Sequence, residues 1–399
     1  MLKYVIFATV LLIVTESNHI PQSINELAIK LHVVLPQTNG NVLFSPLSAH
    51  IALILCHQGS SGITRKILQD VLILPSDQLD IAREYKAILR NFNDTRNDLS
   101  FSVANSIYLK TNYNLKSQFQ EIAGEYFGAN IENVDFTKSS LIAKQINDWI
   151  SERTKHKIQD VIVESALTEE TRVVLVNAVY FKGSWAHPFK MHETQKDKFY
   201  ISDLQTVDCQ MMQTTGDFYY SDSEELDAKI LKIPYVDRDI FFVVILPNSV
   251  RSLKKIETKL IAKKNLISLV SNMDLENVEV LLPKFKLETN IDLRQPLEDI
   301  GLGNIFSEKA NFSQMLNSHE PLTISKVLQK TFIDINENGT EAASATSVLI
   351  RMRRSLNLHQ YKFYANKPFI FYIMDSASSV LLFLGKLMNP NPTDVHDEL

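Results

Sequence analysis

Residues 173–181 read Val-Val-Leu-Val-Asn-Ala-Val-Tyr-Phe and are closed by Gly183. A strand with one wet face alternates apolar and polar side chains; this run does not, so it predicts a strand buried on both faces. A sheet covered on both sides needs other layers to cover it. Helical patterns crowd the first third. Ser23-x-x-Glu26 reads as a capping box ahead of Ile24, Leu27, Ala28, Leu31, Val34 and Leu35. Ser45-Pro46 supplies a cap and an N1 proline to residues 47–55, apolar nearly all round and therefore a buried helix. Thr64 reads as the cap of the next helix, after Gly62. Residues 140–153 predict an amphipathic helix with Ile142, Ile146, Trp149 and Ile150 on one face. Strand patterns then take over, at 240–246, 278–287 and 380–384. The fold class is α+β with several sheets. A chain of 399 residues, 45% apolar, can bury a large core as one big domain or two modest ones, and no repeat or low-complexity linker divides it.

A further strand, Thr331-Phe332-Ile333-Asp334-Ile335, runs into a segment of different character. Glu337-Asn338-Gly339-Thr340-Glu341 leads to the small residues Ala342, Ala343, Ser344, Ala345 and Thr346, then Val348, Leu349 and Ile350, then Arg351-Met352-Arg353-Arg354-Ser355. Gly339 breaks the strand pattern and can hinge. Small side chains can enter a packed sheet without clashing. The arginines must stay in water or meet carboxylates.

The order Glu337-x-Gly339-Thr340-Glu341-Ala342-Ala343-Ser344-Ala345-Thr346 resembles the proximal hinge of the serpins, which are mostly serine-protease inhibitors. Asn41-Val-Leu-Phe-Ser-Pro-Leu-Ser48, Asn105-Ser-Ile-Tyr108, Val134-Asp-Phe136, Leu175 to Trp185, Lys284-Phe285, Lys367-Pro-Phe369 and Leu382-Phe-Leu-Gly385 fall where that family has its own versions. The resemblance implies three β-sheets, eight or nine helices and an exposed reactive-centre loop over 337–358, within a domain spanning 19–388. It also implies a suicide trap rather than an enzyme. The target's serine attacks the loop, the cut frees it, and Gly339 to Thr346 enter the main sheet with Thr340, Ala342, Ser344 and Thr346 facing the core. No Gly-x-Ser-x-Gly elbow, His-Glu-x-x-His or P-loop is present, and neither a cofactor nor a metal is expected.

Two rulers place the cut bond one residue apart. Counting forward from Gly339 at the family spacing gives Arg353-Arg354; counting back from residues 363–369 gives Arg354-Ser355. A cut after Arg354 puts Arg354, Arg353 and Arg351 at the first, second and fourth positions, the pattern accepted by the carboxylate-lined clefts of furin-like proprotein convertases. A cut after Arg353 suits a trypsin-like protease better. A different class is the non-inhibitory serpin chaperone of the endoplasmic reticulum; the uncharged, proline-free Ala342 to Thr346 favours inhibition.

Compartment signals sit at both ends. Lys3 followed by the apolar residues 4–14 resembles a secretory signal peptide within 1–18. Residues 389–399 form a polar, Pro-containing tail ending His396-Asp397-Glu398-Leu399, an ER-retrieval address read by a receptor. The chain resembles insect-type secretory-pathway serpins carrying a convertase bait and a retrieval tail. It is expected to stay in the endoplasmic reticulum lumen, with some secreted, as a monomer. No later apolar run reaches the ~18 residues of a membrane span, and the net charge of −5 gives no reason to expect nucleic acid. Cys56 and Cys209 allow one bridge at most. Asn93, Asn311 and Asn338 head glycosylation sequons. Arg83, Lys86 and Arg90, near helical spacing, are more simply a solvated face than a polyanion site.

Overall fold

A computed structural model describes residues 19–36, 40–93, 99–236, 239–263, 265–317, 320–340 and 360–391. The expected signal peptide over 1–18, Glu341, Ala342, Ala343, Ser344, Ala345, Thr346, the arginines 351, 353 and 354, Ser355 and the expected retrieval tail His396 to Leu399 lie outside the described residues.

Eight helices are present among the described residues. They are α1 (His19–Val34), α2 (Pro46–Gly59), α3 (Gly62–Leu72), α4 (Gln78–Asn93), α5 (Ser117–Phe127), α6 (Ser139–Arg153), α7 (Leu253–Lys263) and α8 (Arg294–Leu297). The strands are β1 (Val42–Phe44), β2 (Leu99–Lys110), β3 (Asn130–Val134), β4 (Val173–Ser184), β5 (Gln195–Tyr200), β6 (Thr206–Ser223), β7 (Ala228–Pro234), β8 (Ile240–Pro247), β9 (Asp274–Pro283), β10 (Phe285–Asp292), β11 (Lys326–Asn336), β12 (Gly339–Thr340), β13 (Tyr361–Tyr364), β14 (Phe369–Asp375) and β15 (Val380–Leu387).

Hydrogen bonds join them into a six-stranded sheet, β10-β11-β12-β4-β2-β3, and a nine-stranded one, β1-β15-β14-β8-β7-β6-β9-β13 with β5 also on β6. The resemblance divides the second into two sheets. Here the long β6 serves both parts, pairing β5 through 206–211, β7 through 219–223 and β9 through 211–220.

The six-stranded sheet is covered on both faces, as the 173–181 run requires. Val173, Leu175, Val179 and Phe181 of β4 join the main core with α2 and the nine-stranded sheet. Val174, Val176, Ala178 and Tyr180 pack on the other face with Ile142, Ile146 and Ile150 of α6. Helix α2 is buried along its whole length. Ser45 caps it by accepting from the Ser48 amide, with Pro46 in the first turn, as its sequence predicts.

Three local expectations are corrected. Ser23 does not cap α1, which begins at His19; its hydroxyl lies inside the helix, bonded to His50 Nε2 and the Leu72 carbonyl. Thr64 is a first-turn residue of α3 whose N-cap is Ser61, and its hydroxyl donates to Asn304 Oδ1 at 2.7 Å. In both cases a distant partner outbids the local helix end for the hydroxyl. The 278–287 run is two strands in two sheets, since Pro283 has no amide to continue the ladder and Lys284 turns its amide to the Gln210 carbonyl. Cys56 and Cys209 are both buried and free.

Candidate functional site: the half-open sheet at the hinge

Strands β4 and β11 run parallel and pair directly from Lys326↔Val174 to Phe332↔Tyr180. Beyond that point they part, and Gly339-Thr340 lies between them, antiparallel to both. Thr340 pairs with Ile335 on one side and Gly183 on the other; Gly339 pairs with Asn336 and Ser184. The first two residues of the predicted hinge are thus already strand.

A buried aromatic group holds this entrance. Trp185 stacks on Tyr235 with ring centroids 4.6 Å apart, and Phe181 meets Tyr235 edge-on at 5.0 Å. Trp185 Nε1 donates to the Asn336 carbonyl and its amide to the Asn338 carbonyl, each at 2.9 Å. Thr340 is fully buried and shares a 2.6 Å hydroxyl–hydroxyl bond with Tyr235. Burial pushes the Tyr235 phenol far above its usual range, so it stays neutral and able to donate.

Gly339 has φ +144°, and a Cβ there would come within 2.0 Å of the Gly183 carbonyl oxygen. Only glycine fits between the two strands at that point. Gly339→Ala is expected to expel β12, release Thr340 from Tyr235 and cost at least about 1–3 kcal/mol in backbone strain alone. A red shift of Trp185 emission in a Trp149→Phe background would report it; unchanged emission would mean that the alanine is accommodated in place.

Glu337 sits in the turn before β12 with its side chain 6% exposed. Lys284 Nζ donates to Oε2 at 3.1 Å, Thr194 donates to Oε1 at 3.0 Å, and the Phe189 amide donates to the Glu337 carbonyl at 2.9 Å. Burial alone would raise this carboxyl. The hydrogen bonds from the backbone, Lys284 and Thr194 outweigh it and hold the pKa below the ordinary carboxylate value. A carboxylate held low when folded contributes stability that is complete above its unfolded pKa, near 4.5, and lost as pH falls through the lower folded value. Glu337→Gln is therefore expected to lower stability by about 1–3 kcal/mol at pH 7, with the gap to wild type closing as pH drops below about 4. Melting curves taken between pH 3 and 7 check this; a gap independent of pH would remove the ion pair from the account.

Deeper between the strands, Gln329 of β11 accepts from the Ser45 amide at 2.9 Å and donates to the Ser45 carbonyl at 3.0 Å. Asn177 of β4 donates to Asn105 Oδ1 at 2.6 Å, while its own Oδ1 is buried without a hydrogen-bond partner.

Tyr235, Lys284 and Thr194 were not singled out from sequence as partners of the hinge. They lie 105, 53 and 143 residues from Thr340 or Glu337, and no spacing pattern links them. Asn338 is half-buried in the turn between β11 and β12. Asn311 is exposed, with its Oδ1 accepting from the Ser313 amide at 3.1 Å; the Asn93 side chain is outside the described residues. On α4, Arg83 pairs with Asp80 and Lys86 with Glu125, leaving Arg90 without an ion pair to a described residue. Among the described residues no group of His, Cys, Asp or Glu is placed to hold a metal ion, and no helix is long and apolar enough to cross a membrane.

The family model described as serpin (serine protease inhibitor) matches residues 22–390. The chain is 32% identical over 371 residues to a leukocyte elastase inhibitor of Bos taurus, covering 91% of this chain and 97% of that one. It is 31% identical over 369 residues to serpin B4 of Homo sapiens, covering 88% and 94%. The crystal structure of Serpin48, a highly specific serpin of the insect Tenebrio molitor, superposes with a TM-score of 0.84 at 32% identity, covering 94% of this chain and 100% of the other. A family match over nearly the whole described chain, together with a serpin structure that superposes on 94% of it, places this protein in the serpin family.

Proposed function

We propose that the protein inhibits a serine protease by taking its own cut loop into the six-stranded sheet, and that the target is a furin-like proprotein convertase cleaving after Arg354. One observation carries this reading: Gly339-Thr340 already forms an antiparallel strand between two strands that are otherwise paired in parallel with each other. Continuing the same register would place Ala342 between Ile333 and Phe181, Ser344 between Thr331 and Val179, and Thr346 between Gln329 and Asn177. These even-numbered residues would face the main core. Ala343 would lie between Phe332 and Tyr180, and Ala345 between Lys330 and Ala178, beneath α6. Both faces are covered, which gives a reason for small residues at odd as well as even positions.

Insertion would exchange one parallel ladder for two antiparallel ones. A gain of about ten hydrogen bonds at ~0.5–1.5 kcal/mol each supplies roughly 5–15 kcal/mol, before packing. That energy would drive distortion of the acyl-enzyme before water releases it. Arg351, Arg353 and Arg354 would select the target through forked pairs with carboxylates. The leader in 1–18 and the His396-Asp397-Glu398-Leu399 tail would keep the inhibitor in the compartment where convertases work.

The test is to mix the protein with a furin-type convertase and, separately, with trypsin. The expected result is an SDS-resistant adduct with the convertase and a released peptide that begins at Ser355. A released peptide beginning at Arg354 would move the bond and favour a trypsin-like target. Cleavage without any adduct would end the inhibitory reading.

A further inference from the structure

The downstream root of the loop carries a group of lysines that stand outside any ion pair with a described residue. Lys362 lies on β13, which pairs in parallel with β9 as an edge strand and begins six residues after Ser355. Lys229 of β7 donates to the Lys362 carbonyl at 3.0 Å, and Lys367, three residues past β13, donates to the Asn248 carbonyl at 3.2 Å. None of the three forms an ion pair with a described residue. The carboxylates nearest in register lie opposite the lysines without contacting their ammonium groups. Glu279, opposite Lys362, accepts from the Tyr364 hydroxyl at 2.7 Å and from Gln213 at 3.3 Å. Asp222, opposite Lys229 in the ladder, forms no ion pair with a described residue. Lys229 in turn lowers the Lys367 pKa, after the larger effect of burial, so the like charges feel each other. Keeping like charges this close costs stability.

Chain length makes this patch relevant to docking. Six residue steps from Ser355 to Tyr361 span at most about 20 Å, whereas fourteen steps from Thr340 to Arg354 span up to about 50 Å. A protease domain of roughly 300 residues has a radius of gyration near 19 Å and is about 50 Å across. Whatever grips the bond before Ser355 must overhang the β13 root, while the upstream root can remain clear of it.

We infer that Lys229, Lys362 and Lys367 form a second contact surface for the protease that takes the bait, and that they pair with a carboxylate-rich rim beside its active-site cleft. This inference rests on the proposed function, because it presupposes a protease at the loop. The patch acts on encounter: it raises the association rate and makes it salt-dependent, leaving the fate of the acyl-enzyme unchanged.

The experiment compares wild type with a Lys229→Glu, Lys362→Glu, Lys367→Glu variant against a furin-type convertase at about 50 and 300 mM salt. Two rates are recorded: formation of the SDS-resistant adduct, and cleavage of the loop as kcat/KM. The expected result is an association rate about 10- to 100-fold slower for the variant at low salt, a much flatter salt dependence, and an unchanged stoichiometry of inhibition. Circular dichroism and melting verify folding, and a triple Lys→Gln variant, expected to fall between the two, serves if the charge reversal does not fold. Rates within twofold of wild type at both salts overturn the patch while leaving the trap standing. If the convertase cuts the loop without forming an adduct, the trap reading fails, and the kcat/KM comparison still decides the patch. If it neither cuts nor is trapped, the convertase as target and the patch both fall, and the trap is decided by the trypsin arm.

Discussion

Replacing Thr346 by arginine is expected to turn the inhibitor into a substrate. In the continued register this residue would lie between Gln329 and Asn177, which are 0% and 2% exposed, on the face turned to the main core. Neither neighbour offers a carboxylate to a guanidinium delivered there. Asn177 Oδ1 is a buried acceptor without a partner, and it is neutral. An uncompensated buried charge costs several kcal/mol, at least about 3–5, a large share of the roughly 5–15 kcal/mol that insertion yields. Insertion should stall at that step while the acyl bond waits for water. The measurable result is a loop cut at the wild-type rate, with the stoichiometry of inhibition rising from about one to more than about ten and the SDS-resistant adduct lost. Thr346→Ser, which keeps the hydroxyl, should retain the adduct. Survival of the adduct in the arginine variant at wild-type stoichiometry would disprove the register.

The second large effect belongs to the bait. Arg354→Ala should slow reaction with any basic-specific protease at least about 100-fold, because a forked, charge-assisted pair worth about 1.5–3 kcal/mol is lost and a carboxylate in the cleft is left unpaired. Arg351→Ala separates the candidate targets. A convertase that reads the fourth position should slow about 10- to 100-fold, whereas trypsin, which reads mainly the first, should change less than about threefold. Equal sensitivity of both enzymes to Arg351→Ala would assign that arginine to loop conformation rather than recognition.

What the sequence disclosed was local or periodic. The two-sided burial of β4 follows from its lack of alternation, and Ser45-Pro46 marks the start of α2 by chemistry that acts within one turn. Gly339 was legible as a break in the strand pattern. The physical need for it, a Gly183 carbonyl that would lie 2.0 Å from any Cβ, depends on a strand more than 150 residues earlier. The same limit explains the misread caps. Ser23 and Thr64 carry cap-type side chains, but their oxygens are claimed by His50, Leu72 and Asn304, and propensity yields to such tertiary partners. It explains the 278–287 run as well: an apolar pattern does not show that its two halves belong to different sheets, with Lys284 at the corner serving Glu337. The basic patch at the β13 root was invisible for the same reason, since Lys229 comes from β7.

The seating of β12 also bears on speed. Because Gly339 and Thr340 already lie between β11 and β4, the two strands need not separate along their full paired length before anything is regained. In the proposed insertion each incoming residue would displace one rung below it and make two, so the opening would travel down the sheet as a zipper whose first teeth, Gly339 and Thr340, are engaged. On that proposal the contest with deacylation would be decided tooth by tooth, and a single ill-fitting side chain anywhere along the track would stop the slider.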